Sequence, residues 1–111
     1  MKTCSKITAV SLLFLLGSAL GYAAPASENW ENLCTKCHGA DGKGLTKVGK
    51  KLSLKDYTDA KVQADLKDED MAKVIVDGYK DKTGKEKMKA YSELTPAEVK
   101  DLVAYIRKFK A

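Results

Sequence analysis

The sequence predicts an all-α fold, a small helical bundle forming one domain, and three observations predict it. Apolar residues recur at helical spacing in several segments after residue 26, and no segment alternates apolar and polar residues as a half-buried strand does. The stretches between these segments are rich in glycine and lysine and read as long loops. The chain has 111 residues, enough for a single compact domain.

The first stretch differs in kind from the rest. Lys2 and Lys6 make a basic start, residues 7–20 carry no charge, and small residues follow at Gly21, Ala23, Ala24 and Ala26. This order of basic, apolar and small residues is that of a secretory signal peptide. The apolar run is short of the ~20 residues that span a bilayer, so cleavage is expected rather than anchoring. Ala23 is the expected last residue of the leader, because a cut after Ala24 leaves Pro25 at the new terminus; a cut after Ala26 also fits the small-residue pattern. The domains are then a leader, residues 1–23, and a folded unit, residues 24–111, with no membrane span once the leader is gone. Cleavage removes two of the 20 basic residues and none of the 15 acidic ones, leaving a formal charge of +3. Acids and lysines are interspersed, so the charge gives no basic stripe of the kind that binds nucleic acid.

Residues 27–38 carry Trp30, Leu33 and Cys34 on one helical face. Residues 39–52 hold four glycines and are expected as loop, with Asp41-Gly42 as a turn. Thr58 or Asp59 can start a short helical stretch to about residue 65. A clearer helix is expected over 69–77, capped by Asp68, with Met71, Val74 and Ile75 on its apolar face and Gly78 ending it. Residues 79–94 are polar and lysine-rich and are expected as a surface loop. The strongest signal is the last helix. Thr95, Pro96 and Glu98 form a capping box with proline at the first helical position, and Val99, Leu102, Val103 and Ile106 follow at helical spacing.

Cys4 leaves with the leader, and the mature chain keeps Cys34 and Cys37. A disulfide between them would close a very small loop, and cross-links stabilise more as the loop they close grows. Stapling therefore explains the pair poorly. Cys34-Thr35-Lys36-Cys37-His38 is a C-x-x-C-H motif, the attachment signal for c-type haem. On a helical turn the positions i, i+3 and i+4 share a face, so both sulfurs can reach the vinyl groups of one porphyrin while His38 meets the iron. A thioredoxin-like pair would stand in a βαβ pattern, which the sequence lacks. A structural zinc site takes four ligands, against two mature cysteines and one histidine here. The second axial position of an electron-transfer haem is often a methionine, which raises the potential. Met71 lies on an apolar helix face, where core packing accounts for it. Met88 lies between Lys87 and Lys89, where nothing local asks for an apolar side chain, and a ligand role accounts for it. An incidental loop methionine is the alternative.

At this point the chain resembles the class I mono-haem cytochromes c. CTKCHGADGKG is similar to that family's attachment site and glycine loop, and MKAYSELTPAEVKDLVAYIRKF to its axial-methionine segment and last helix. The resemblance covers nearly all of residues 24–111. It implies one covalently bound haem c, with thioethers at Cys34 and Cys37 and axial iron ligands at His38 and Met88. It also implies crossed first and last helices, so that Trp30 and Leu33 pack near Leu102, Tyr105 and Ile106. Two departures stand out. Lys89 follows Met88 where many members have proline, and no proline lies between Pro25 and Pro96 to present a carbonyl to the proximal histidine. A carbonyl around residues 46–49 is expected to replace it.

The expected function is a single-electron carrier, not an enzyme, working as a periplasmic or secreted monomer with redox partner proteins. Lys80, Lys82, Lys85, Lys87 and Lys89 could ring the haem edge and steer partners with acidic docking surfaces, or form a merely solvated loop. A haem enzyme or gas sensor would need the Met88 position open. A dedicated subunit of a larger oxidoreductase has the same sequence features as a free carrier.

Overall fold

The computed structural model describes residues 23–109; the expected leader up to residue 22, with Cys4, lies outside them. Helix α1 runs as Ala26–Asn29, a π-helical stretch Trp30–Cys34 and Thr35–His38. It is followed by α2, Lys47–Leu52, α3, Ala60–Asp65, and α4, Asp68–Asp77. Two short strands come next, β1, Tyr79–Lys80, and β2, Glu86–Met88, and the described chain closes with α5, Pro96–Arg107. The all-α class holds, with the small β-hairpin as its one addition among the described residues.

Helix α5 forms as its sequence dictates. Thr95 Oγ1 accepts from the Glu98 amide at 3.1 Å, and Glu98 Oε1 accepts from the Thr95 amide at 3.0 Å, which closes the capping box. Val99, Leu102, Val103 and Ile106 are all buried and meet Trp30, Met71 and Ile75 in one core. Helix α4 begins at Asp68 itself, with Lys67 in the cap position, and Asp68 instead takes Arg107 of α5 at 2.8 Å. Gly78 ends α4 at φ +79°.

Two expectations for loops are corrected. Residues 47–52 form a helix because Thr46 caps it, its hydroxyl accepting from the Gly49 amide at 2.9 Å. Gly49 lies where a Cβ would stand 2.6 Å from the Cys37 carbonyl, so its role is close approach to the attachment motif rather than chain breaking. Residues 79–88 form an antiparallel hairpin, with Tyr79 opposite Met88 and Lys80 opposite Glu86 across a bulge. Asp81 builds its turn. Its carboxylate accepts from the amides of Thr83 and Lys85, and its own amide donates to the Lys85 carbonyl at 2.9 Å.

Candidate functional site

The attachment motif stands at the end of α1, and the π-helical stretch sets its phase. Thr35 Oγ1 donates back to the Trp30 carbonyl at 2.9 Å, five residues earlier, and stabilises the wider turn. Trp30 then points into the core. Its ring centroid lies 5.8 Å from Tyr105 and 4.9 Å from Phe109, and its Nε1–H donates to the Gly39 carbonyl at 3.1 Å. Helices α1 and α5 therefore meet at Trp30, as expected. Leu33 does not join this core. It is half-buried and lines the cleft beside the cysteines.

That cleft has a volume of about 560 Å³, within the ~300–1,000 Å³ common for cofactor-sized ligands. Cys34, Cys37, His38 and Met88 all line it. A smaller pocket of about 140 Å³ continues from it toward Met71 and Leu102, and shares Cys34, His38 and Met88. Met88 reaches the cleft from strand β2, half-buried against the core, so a strand and not a loop presents it. The segment after it is tied to α1 and α4, since the Tyr91 hydroxyl donates to the Leu33 carbonyl at 2.9 Å and the Tyr91 amide to the Ile75 carbonyl at 2.9 Å.

His38 is gripped by aromatic rings. Tyr57 stacks on it with centroids 5.3 Å apart at 21°, and Trp30 lies 5.7 Å away on a tilt. Its Nδ1 is buried and has no hydrogen-bond partner among the described residues. The acceptor expected around residues 46–49 is not supplied. The Thr46 carbonyl instead accepts from the Lys50 amide at 2.9 Å and the Gly49 carbonyl from the Leu54 amide at 3.0 Å. Sequence reasoning also missed Tyr57 and Gln63. Gln63 is 7 % exposed, and its Nε2 donates to the Tyr57 carbonyl at 2.7 Å and to the Ile106 carbonyl at 2.9 Å. No local pattern marks either residue.

The electrostatics do not mark Cys34 as a free reactive thiolate. Burial, then the neighbouring Cys37, pushes the Cys34 thiol up to about 11. Reactive cysteines go the other way, to depressed values. Burial lowers His38, so its imidazole is neutral at pH 7 and able to ligate a metal. Among the described residues no three His, Cys, Asp or Glu side chains converge as a metal site. Two free thiols, a neutral imidazole and a thioether around an apolar cleft are a donor set that fits an iron porphyrin held through its edge and its metal. Among the described residues no helix is long and apolar enough to cross a membrane.

A family model described as Cytochrome c matches residues 23–110. A solved structure titled "KustC0563 c-type cytochrome" is 32 % identical over 79 % of this chain and all of its own, with a TM-score of 0.66. A tyrosine-to-phenylalanine variant under the same protein name is 35 % identical over 78 % of this chain and all of its own, with a TM-score of 0.67. No curated protein sequence matches the chain.

Proposed function

The chain belongs to the cytochrome c family, and from that premise we propose that it is an exported single-electron carrier with its haem iron between His38 and Met88. Covalent haem c is the family's cofactor, and this small domain holds one. Electron transfer is the function that the family indicates. One observation carries the finer reading: two cysteines and a histidine from α1 and a methionine from β2 line a single cleft.

Bound there, haem c supplies an iron that alternates between ferrous and ferric states. The chain's residues set the conditions for it. Cys34 and Cys37 hold the porphyrin by thioethers, which prevents its loss outside the cell's interior. His38 would be one protein ligand of its iron, kept in orientation by Tyr57 and Trp30. Met88 would be the other, and a thioether ligand raises the potential. With both residues on the iron, no coordination site would be left for a substrate, which supports a carrier over an enzyme.

Lys55, Lys87 and Lys89 line the mouth of the cleft, and Lys80, Lys82 and Lys85 extend the positive surface along the hairpin. Asp81 lies 4.0 Å from Lys87, and Lys89 sits over the Tyr91 ring at 5.5 Å. Neither contact removes a charge wholly from solvent, so the face suits partners with acidic docking surfaces. Transfer rates to such a partner fall as salt rises.

The test is the absorption spectrum of the exported, processed protein, oxidised and reduced, with its intact mass. A mass increased by one haem, and a weak ferric band at the red end that reports sulfur ligation, are expected. Bare polypeptide from a host able to attach haem would overturn attachment. Rapid carbon monoxide binding to the reduced protein at neutral pH would overturn the Met88 assignment and favour a sensor or haem enzyme.

A further inference from the structure

Glu98 lies on the surface side of the α1–α5 contact, and more donors point at it than its capping box requires. Its Oε1 is used by the Thr95 amide. Its Oε2 accepts from the Asn29 side chain at 3.0 Å and from the Ala24 amide at 3.2 Å, 74 residues away in sequence. Asn29 is 7 % exposed and also reaches the Ala24 carbonyl at 3.5 Å. The carboxylate is thus fixed through both oxygens, with Ala24 nitrogen at its open side.

Ala24 is the residue that leader removal is expected to make the first. We propose that cleavage between Ala23 and Ala24 turns this amide contact into an ion pair, the new α-ammonium of Ala24 docking on Glu98, so that processing locks α1 onto α5. The chemistry is a hydrolysis by a signal peptidase. One water is consumed, the Ala23 carbonyl departs as a carboxylate with the leader, and Ala24 keeps its nitrogen. An α-amine with an ordinary pKa of ~7.7–8.0 is mostly protonated at neutral pH. The Thr95 amide, then Asn29, holds the Glu98 carboxyl down to about 2, so the carboxylate is ionised when the ammonium forms. Charge-assisted hydrogen bonds are roughly twice as strong as neutral ones.

The geometry also discriminates between cut sites. A cut after Ala24 removes the donor nitrogen. A cut after Ala26 removes the Pro25 carbonyl, which starts α1 by accepting from the amides of Glu28 at 3.1 Å and Asn29 at 3.0 Å. Only a terminus at Ala24 keeps that start and places the new charge at the carboxylate.

The experiment is a double-mutant cycle on exported holoprotein, read by denaturation midpoint, with intact mass fixing each N-terminus. One arm is Glu98→Gln, which retains a side chain able to close the capping box. The other inserts one alanine between Ala23 and Ala24, so that Ala24 nitrogen becomes an amide again behind the new terminus. Each change alone is expected to lower the midpoint, and both together to lower it no further than the larger one. If Glu98→Gln does not accumulate, the native and inserted proteins are compared at low and high salt, where the difference between them should shrink. A native mass that begins elsewhere than Ala24, an insertion without effect, or effects that simply add would each overturn the proposal.

Discussion

Replacing Gln63 with alanine tests whether a polar side chain in the core holds the proximal side of the site together. Gln63 joins three elements. Its Nε2 bonds the Tyr57 and Ile106 carbonyls, and its Oε1 accepts from Arg107 Nη1 at 3.0 Å. Removal has unequal consequences for these partners. Ile106 keeps the Phe109 amide at 3.2 Å, and Arg107 keeps the Gln63 backbone carbonyl at 2.6 Å. The Tyr57 carbonyl has no replacement among the described residues. A stranded, partly buried acceptor costs about 1–3 kcal/mol, and each hydrogen bond lost elsewhere about 0.5–1.5 kcal/mol. The expected loss is about 2–6 kcal/mol, which in a domain of this size lowers the thermal midpoint by at least ~8 °C. Chemical denaturation of the holoprotein measures it, with Lys61→Ala on the exposed face of α3 as a control. Because Gln63 also fixes the backbone that carries the Tyr57 ring against His38, the reduction potential should shift as well. A Gln63→Ala protein within about 0.5 kcal/mol of native, the range of ordinary surface changes, would refute the reasoning.

Met88→Ala should leave haem attached by mass, abolish the weak red ferric band, lower the potential and allow carbon monoxide to bind the reduced protein. Gly78→Ala should cost about 1–3 kcal/mol by strain and disturb the same band, because φ is +79° and a Cβ would stand 2.7 Å from the Met88 carbonyl; an unchanged melt and spectrum would exclude that coupling. Glu98 has its carboxyl held at about 2, below its ordinary 4.5, so its contribution to stability is complete above pH 4.5 and is lost as pH falls toward 2. Asp56 and Asp81, lowered by hydrogen bonds to Thr58 and Thr83, act in the same direction. Denaturation midpoints between pH 6 and 2 should therefore fall, and Glu98→Gln should make that fall shallower.

The elements legible in the sequence are those whose cause is local. Helix α5 follows from Thr95, Pro96 and Glu98 within one turn, and its buried face from a regular repeat. The attachment motif is a five-residue string. What escaped depends on contacts between distant residues. The hairpin has no alternating apolar pattern, and its pairing of Tyr79 with Met88 is organised by the Asp81 side chain. Gly49 reads as a breaker in sequence, yet it lies within α2 because the Cys37 and Gly44 carbonyls pass close by. Gln63 and Arg107 are ordinary polar residues in their own segments, and only the folding of α3 against α5 joins them across 44 positions. The departure at His38 was half legible. The missing proline could be read, but the stacked Tyr57 and the unpartnered Nδ1 needed the fold.

These contacts bear on why so small a chain is built around its cofactor. Among the described residues the buried apolar core is seven side chains, drawn from α1, α4 and α5. Around it stands a second set, among them Cys34, Tyr57, Leu66, Met88 and Tyr91, which is only partly buried and lines the cleft. A domain of this size buries a modest share of its surface on folding, and here much of the remaining apolar area faces one cavity. A porphyrin seated there converts those half-exposed walls into interior, with a driving force proportional to the apolar area removed from water. With His38 and Met88 as the proposed iron ligands, the same step would join α1 to the hairpin, whose following segment is tied to α1 by the Tyr91 hydroxyl on the Leu33 carbonyl. The proposed attachment at Cys34 and Cys37 would then be a folding constraint as much as a means of retaining the redox group, and substitutions that loosen the cleft should appear first as altered iron ligation and only later as unfolding.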